Sequence, residues 1–140
     1  MHFVTWSRSL LGGAVLALGL GWSGQAGQVF PSNTDWRYFK GLTEASLPDV
    51  TAWRGREFDD STWEVGPAPF YYGEPLSGTL LDDMRSRYSC LFLRKSFVVT
   101  NPWEVSALEL RGVSDDGFIA WINGYEVARY NMPEGEVPFN

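Results

Sequence analysis

The stretch FIAWINGYEVARY, residues 118–130, decides the fold. Asn123-Gly124 stands between two runs rich in β-branched and aromatic residues. That dipeptide is the strongest short hairpin signal, because a type I′ turn needs positive φ at both central positions. A two-residue Asn-Gly loop places Ile122 opposite Tyr125, Ala120 opposite Val127 and Phe118 opposite Arg129. The other face then carries Trp121 opposite Glu126 and Ile119 opposite Ala128. The first face is the better core candidate. The second is also partly apolar, which calls for a loop or another layer to cover it. Burial of Phe118, Ile122 and Val127 is worth about 1.5–3 kcal/mol each before entropy is charged.

Working outward, the same pattern recurs. Residues 88–99, YSCLFLRKSFVV, read as a strand that Asn101-Pro102 breaks, and 105–113, VSALELRGV, as another with Leu108 and Leu110 on one face. Residues 114–117, SDDG, form the turn into the hairpin. Upstream, Asp35 to Lys40 alternates aromatic and charged side chains at the period of a strand. Residues 41–51 carry Gly, Pro and Asp and read as loop or a single helical turn. Residues 58–63, FDDSTW, read as a capped turn with Phe58 and Trp63 pointing inward. The Gly- and Pro-rich stretch 65–78, VGPAPFYYGEPLSG, is a long aromatic loop. No window shows convincing helical periodicity, and residues 76–87 are the one weak helix candidate. Short strands separated by turn signals predict an all-β, antiparallel β-sandwich.

The 140 residues are one-domain length, and 44% apolar against 20% charged residues is the composition of a folded chain. With 11 Lys+Arg against 17 Asp+Glu, the net charge of −6 argues against a nucleic-acid partner. The single cysteine, Cys90, excludes an intrachain disulfide framework and a thiolate zinc site. The single histidine, His2, leaves no histidine-based catalysis in the body of the chain. Residues 1–26 read as an export signal: Arg8 in a positive lead, an uncharged apolar run over 10–22, and small residues at 23–26. That run is shorter than the roughly 20 residues a membrane-spanning helix needs, so no span is expected after cleavage. The organisation expected is therefore a signal at 1–26, an extended lead-in at 27–34 and one module over 35–140. Export places the chain outside the cell, in the periplasm or at the cell surface, where Cys90 is expected as a buried small apolar residue.

Three acidic pairs, Asp59-Asp60, Asp82-Asp83 and Asp115-Asp116, could carry chemistry. A glycosidase needs two carboxyls facing each other at roughly 5–9.5 Å across a sugar, and adjacent residues on a strand point to opposite faces. Turn capping is the reading for Asp59-Asp60 and Asp115-Asp116, with a structural calcium site as the alternative. No cofactor is otherwise implied. No nucleophile elbow, phosphate-cradling loop or zinc set is present, so the chain is read as non-enzymatic. The aromatics remain. Sugar C–H faces stack on Trp and Tyr rings, and Trp53, Trp63, Tyr71, Tyr72, Trp103 and Trp121 could supply a platform. Trp63 and Phe118 are expected in the core, and at least one of Tyr71 and Tyr72 on the surface, because they lie in a Gly/Pro loop.

The stretch LFLRKSFVVTNPWEVSALELRGVSDDGFIAWINGYEVARYNMPEGEVPF resembles the N-terminal sugar-binding jelly roll of family 2 glycoside hydrolases. More broadly it is similar to the galactose-binding-like domains of secreted bacterial proteins. The likeness rests on Arg94 and Phe97, Leu108 and Leu110, Asp115-Asp116-Gly117, Trp121-Ile122-Asn123-Gly124 and Pro138-Phe139, with FDDSTWEVGPAPFYYG upstream. It covers residues 35–139 and implies a jelly roll that continues past Asn140, with linked domains downstream. It implies a non-catalytic carbohydrate-binding or accessory module. The competing readings are the leading piece of a secreted glycoside hydrolase, or a structural spacer that binds other proteins. The ligand-binding candidates are Tyr71, Tyr72, Trp121, Asp115, Asp116 and Asn123.

Overall fold

The computed structural model describes residues 2–6, 17–22 and 28–140, the first two segments by their backbone. The fold is all-β. Its strands are β1 (His2–Trp6), β2 (Ala17–Trp22), β3 (Asp35–Lys40), β4 (Glu64–Pro67), β5 (Phe70–Tyr71), β6 (Thr79–Leu80), β7 (Cys90–Arg94), β8 (Leu108–Val113), β9 (Gly117–Ile122) and β10 (Tyr125–Tyr130). Helical structure among the described residues is limited to single 3-10 turns at Ala52–Arg54 and Pro102–Glu104. Six strands form an antiparallel sheet in the order β10-β9-β1-β7-β3-β4. β2 pairs antiparallel with β8, and the short β5 and β6 pair in parallel.

β7 shows why this sheet is covered on both faces. All five of its residues are buried, and alternation sends them to opposite sides. Leu91 and Leu93 join Phe30, Trp36, Tyr38, Phe70 and Ala120 in one cluster. Cys90 and Phe92 join Trp53, Trp63, Ile119 and Trp121 in the other. A strand buried on both faces reads as a continuous apolar run rather than an alternating one, and the sequences CLFL and FIAWI have that character. Residues 28–34, read as an extended lead-in, instead bend and turn, with the Thr34 N–H donating to the Pro31 carbonyl at 3.2 Å, and they join this packing: Phe30 stands edge-on to Trp36 at 5.6 Å and is 5% exposed. No described helix is long and apolar enough to cross a membrane.

Arg94 ties the segment over 53–60 onto the second cluster. Its guanidinium donates to Asp60 Oδ2 at 2.6 Å and to the backbone carbonyls of Trp53, Gly55 (3.1 Å) and Phe58 (3.3 Å). It also lies 5.1 Å from the centroid of the Phe58 ring. Asp60 takes a second partner in Arg37 at 3.1 Å. Asp59 caps the turn as expected, accepting the Ser61 N–H at 2.9 Å, and Phe58 and Trp63 point into the cluster. Gly41 lets the chain cross β7 closely: its N–H donates to the Cys90 carbonyl at 2.9 Å, and a Cβ there would sit 2.7 Å from Cys90 Cβ.

The hairpin departs from strict two-residue register. Ile122 faces Tyr125 and Trp121 faces Glu126 as expected, but a bulge between Glu126 and Ala128 shifts the rest. Ala128 then faces Ala120, Arg129 faces Ile119 and Tyr130 faces Phe118. The physical reason is the side-chain sorting. Strict register would set Arg129 across from Phe118, on the apolar face. The bulge turns Arg129 to the other face, where it meets Glu126, and sets Tyr130 against Phe118. Val127 becomes the extra residue and is 49% exposed rather than core. Residues 88–99 also pair for less than their full length, because β7 ends at Arg94 and Lys95 turns to the Asp35 carbonyl and the Thr34 hydroxyl. Residues 76–87 form β6 and turns instead of a helix. Gly78 runs so close to Pro69 that a Cβ would meet its carbonyl at 2.2 Å.

Two of the described segments, β1 and β2, fall within the residues read as an export signal. β1 occupies the position between β7 and β9, and β2 pairs with β8. The expected cleavage point at residues 23–26 lies outside the described residues.

Candidate functional site

The six candidates from sequence do not converge. Trp121 is 4% exposed and sits under the Arg54 guanidinium, whose carbon is 4.2 Å from the indole centroid. It is a member of the second core cluster. Asp115 and Asp116 precede β9 and Asn123 follows it, so the six-residue strand holds them roughly 20 Å apart. Asn131 donates its side-chain amide to the Asp116 carbonyl, and the Ser114 hydroxyl donates to the Gly117 carbonyl at 3.0 Å. Tyr71 and Tyr72 are both half-buried, and Tyr72 packs against the first cluster. Trp103 is 78% exposed. No group of three or more His, Cys, Asp and Glu that could hold a metal occurs among the described residues.

The exposed aromatic surface lies instead on the outer strand of the hairpin. Asn123 and Gly124 both have positive φ, 51° and 87°, which closes β9 onto β10 by the expected chemistry. β10 is the terminal strand of the six-stranded sheet. Tyr125 is 79% exposed and Tyr130 57%. Tyr130 stacks on Phe118 with ring centroids 6.0 Å apart and planes at 29°. Behind them Phe118, Ile122 and Ala128 are half-buried against the first cluster, together with Tyr72 and Leu110. The result is an aromatic surface on a rigid strand pair, with the Asn123 amide exposed at its tip. Sequence reasoning missed Tyr125 and Tyr130. No local signal marked them: residues three apart on a regular strand point to opposite faces, and only the bulge brings Glu126 and Arg129 together.

The opposite face of the hairpin is closed by charge. Arg129 donates to Glu126 at 2.6 and 2.8 Å and to the Gly135 carbonyl at 3.1 Å. That hydrogen bond from Arg129 lowers the Glu126 carboxyl below its usual range. Arg54 pairs with Glu136. These contacts hold the segment over 131–139 across the second cluster, where Met132, Val137 and Phe139 pack.

A second polar group joins β3, β4 and the turn over 82–88. Tyr38 donates to Glu64 at 2.7 Å, its cross-strand partner. Tyr88 donates to Asp83 at 2.8 Å. Lys40 lies 3.1 Å from Asp83 and 3.8 Å from Glu64, and Arg87 also reaches Asp83 at 3.1 Å. Burial, then the carboxylate partner, pushes both phenols well above their usual range. The Tyr88 hydrogen bond holds Asp83 below the carboxylate range. Near neutrality these tyrosines stay protonated and Asp83 stays ionised, so the group works as a staple between three segments. Cys90 is fully buried, and burial raises its thiol well above the usual value.

Compared with known protein-family models, curated proteins and solved structures, the chain matches none of them.

Proposed function

We propose that this chain is a non-catalytic carbohydrate-binding or accessory module of an exported protein. The observation that carries the reading is the exposed Tyr130, stacked on the half-buried Phe118, with Tyr125 exposed on the same hairpin. A flat aromatic surface held by a strand pair stacks against sugar C–H faces at little entropic cost, because the rings are already ordered. The Asn123 amide at the tip supplies a donor and an acceptor for hydroxyls. The galactose-binding-like resemblance and the signal-like residues 1–26 support the same reading. Native affinity electrophoresis through gels containing soluble polysaccharides tests it. The wild-type chain is expected to be retarded by at least one glycan, and Tyr125→Ala or Tyr130→Ala to weaken that binding about tenfold, ~1.4 kcal/mol. Unchanged mobility in every gel contradicts it.

One observation favours a second reading, a spacer that binds other proteins. β10 is a terminal strand whose exposed residues include Val127 as well as the two tyrosines, and such an edge can pair with another chain. Concentration-dependent association lost on Val127→Lys, with no glycan binding, would favour this reading over the first.

A further inference from the structure

We infer that β10 pairs antiparallel with β10 of a second copy of this chain, in one register, so that two six-stranded sheets join edge to edge. The inference rests on the edge reading given above and names the occupant of that edge. β10 is hydrogen-bonded to β9 alone among the described strands, and no other described backbone group bonds to it. Tyr125, Glu126, Val127 and Tyr130 are all exposed along it.

The order Tyr125-Glu126-Val127-Ala128-Arg129-Tyr130 has the same character read from either end: aromatic, charged, small aliphatic, then the reverse, with the two charges of opposite sign. Around a two-fold axis between Val127 and Ala128, Glu126 of one copy faces Arg129 of the other and Tyr125 faces Tyr130, each contact made twice. A regular strand forbids this register, because residues three apart point to opposite faces. The bulge lifts that restriction. It takes Val127 out of the alternation and brings Glu126 and Arg129 to one face, where they meet at 2.6 Å. The two tyrosines share the other face, opposite Ile122 and Phe118. A bulge commonly blunts an edge; in β10 it makes the edge self-complementary. Registers that set Glu126 against Glu126, or Arg129 against Arg129, are disfavoured by like charge. In the chosen register the four charged side chains alternate in sign around the axis. Four of the five N–H groups of Arg129 are engaged among the described residues, and the fifth remains for Glu126 of the second copy.

Sedimentation velocity on the full chain, from about 1 μM to 1 mM, is expected to show a monomer–dimer equilibrium. Glu126→Arg sets like charges together in both contacts and should weaken the dimer at least about tenfold; Arg129→Glu should do the same. Mixing the two variants sets the arginines of one against the glutamates of the other and should restore a dimer to within about threefold of the wild-type strength. If circular dichroism shows Arg129→Glu unfolded, a salt titration of Glu126→Arg replaces the mixture: its dimer should approach that of the wild-type chain at about 1 M salt, where the repulsion is screened. A wild-type chain that stays monomeric throughout overturns the inference. So does a dimer that mixing of the folded variants, or salt in its place, fails to restore. Association that Val127→Lys abolishes but the charge reversals leave unchanged overturns the register and leaves the edge reading standing. Association indifferent to all three variants lies elsewhere on the chain and overturns both.

Discussion

Arg94→Met removes the side chain that holds the 53–60 segment. Arg94 is 4% exposed, and its replacement leaves the carbonyls of Trp53, Gly55 and Phe58 without their guanidinium donor. Removing one member of a buried ion pair costs about 3–5 kcal/mol. The lower end applies, because Asp60 is partly exposed at 23% and keeps Arg37 at 3.1 Å, so its charge is not left alone. The expected loss is about 3 kcal/mol, a fall in Tm of roughly 10–15 °C for a chain of this size. Arg94→Lys should not restore it, since one ammonium cannot reach acceptors spread over three backbone positions and a carboxylate. Asp60→Asn, which keeps the guanidinium on its carbonyls, should cost about 1 kcal/mol. Urea unfolding followed by tryptophan fluorescence reads these changes directly, because Trp53 and Trp63 are buried in the cluster that the segment covers. A loss below about 0.5 kcal/mol for Arg94→Met, the range of ordinary surface changes, would refute this role.

The Tyr88–Asp83 pair predicts the pH dependence of stability. The Tyr88 phenol is raised on folding, so its contribution is complete below the unfolded value of about 10 and is lost as pH climbs beyond it. Asp83 is lowered on folding, so its contribution holds above the unfolded value of about 3.9 and is lost as pH falls below that. Tyr88→Phe should flatten both limbs of a stability–pH profile measured by urea titration; an unchanged alkaline limb counts against the assignment. Cys90 should not react with a thiol reagent in the native chain and should react fully in denaturant, and rapid native labelling would contradict its burial. Gly41→Ala sets a methyl group against Cys90 Cβ and its carbonyl, and should lower stability by about 1–3 kcal/mol in the same unfolding assay; a neutral result would mean that the 41–42 crossing shifts freely.

Strand positions were legible wherever local chemistry dominates. Asp35–Lys40 was readable to the residue from its period of two, and the Asn123-Gly124 turn from the φ it requires. The second apolar face of the hairpin was legible too, as a surface needing cover, and the structure supplies that cover with Trp53 and the 131–139 segment. The bulge was not legible, because it satisfies two partners remote from the turn, Phe118 for Tyr130 and the Gly135 carbonyl for Arg129. The candidate site was read only in part. Trp121 was read as a platform candidate with the other aromatics, but Arg54, distant in sequence and paired with Glu136, covers its ring. The sequence sets Tyr125 opposite Ile122 on the face read as the better core candidate, and nothing local shows that β10 is an edge.

Amide-resolved NMR of the full chain, titrated with whichever glycan retards it most in the gels, tests the central claim that the hairpin surface is where ligand binds. The shifts are expected to cluster on residues 118–130, led by Asn123, Tyr125 and Tyr130. Shifts concentrated around Trp103 or the loop bearing Tyr71 and Tyr72, with the hairpin silent, would contradict it.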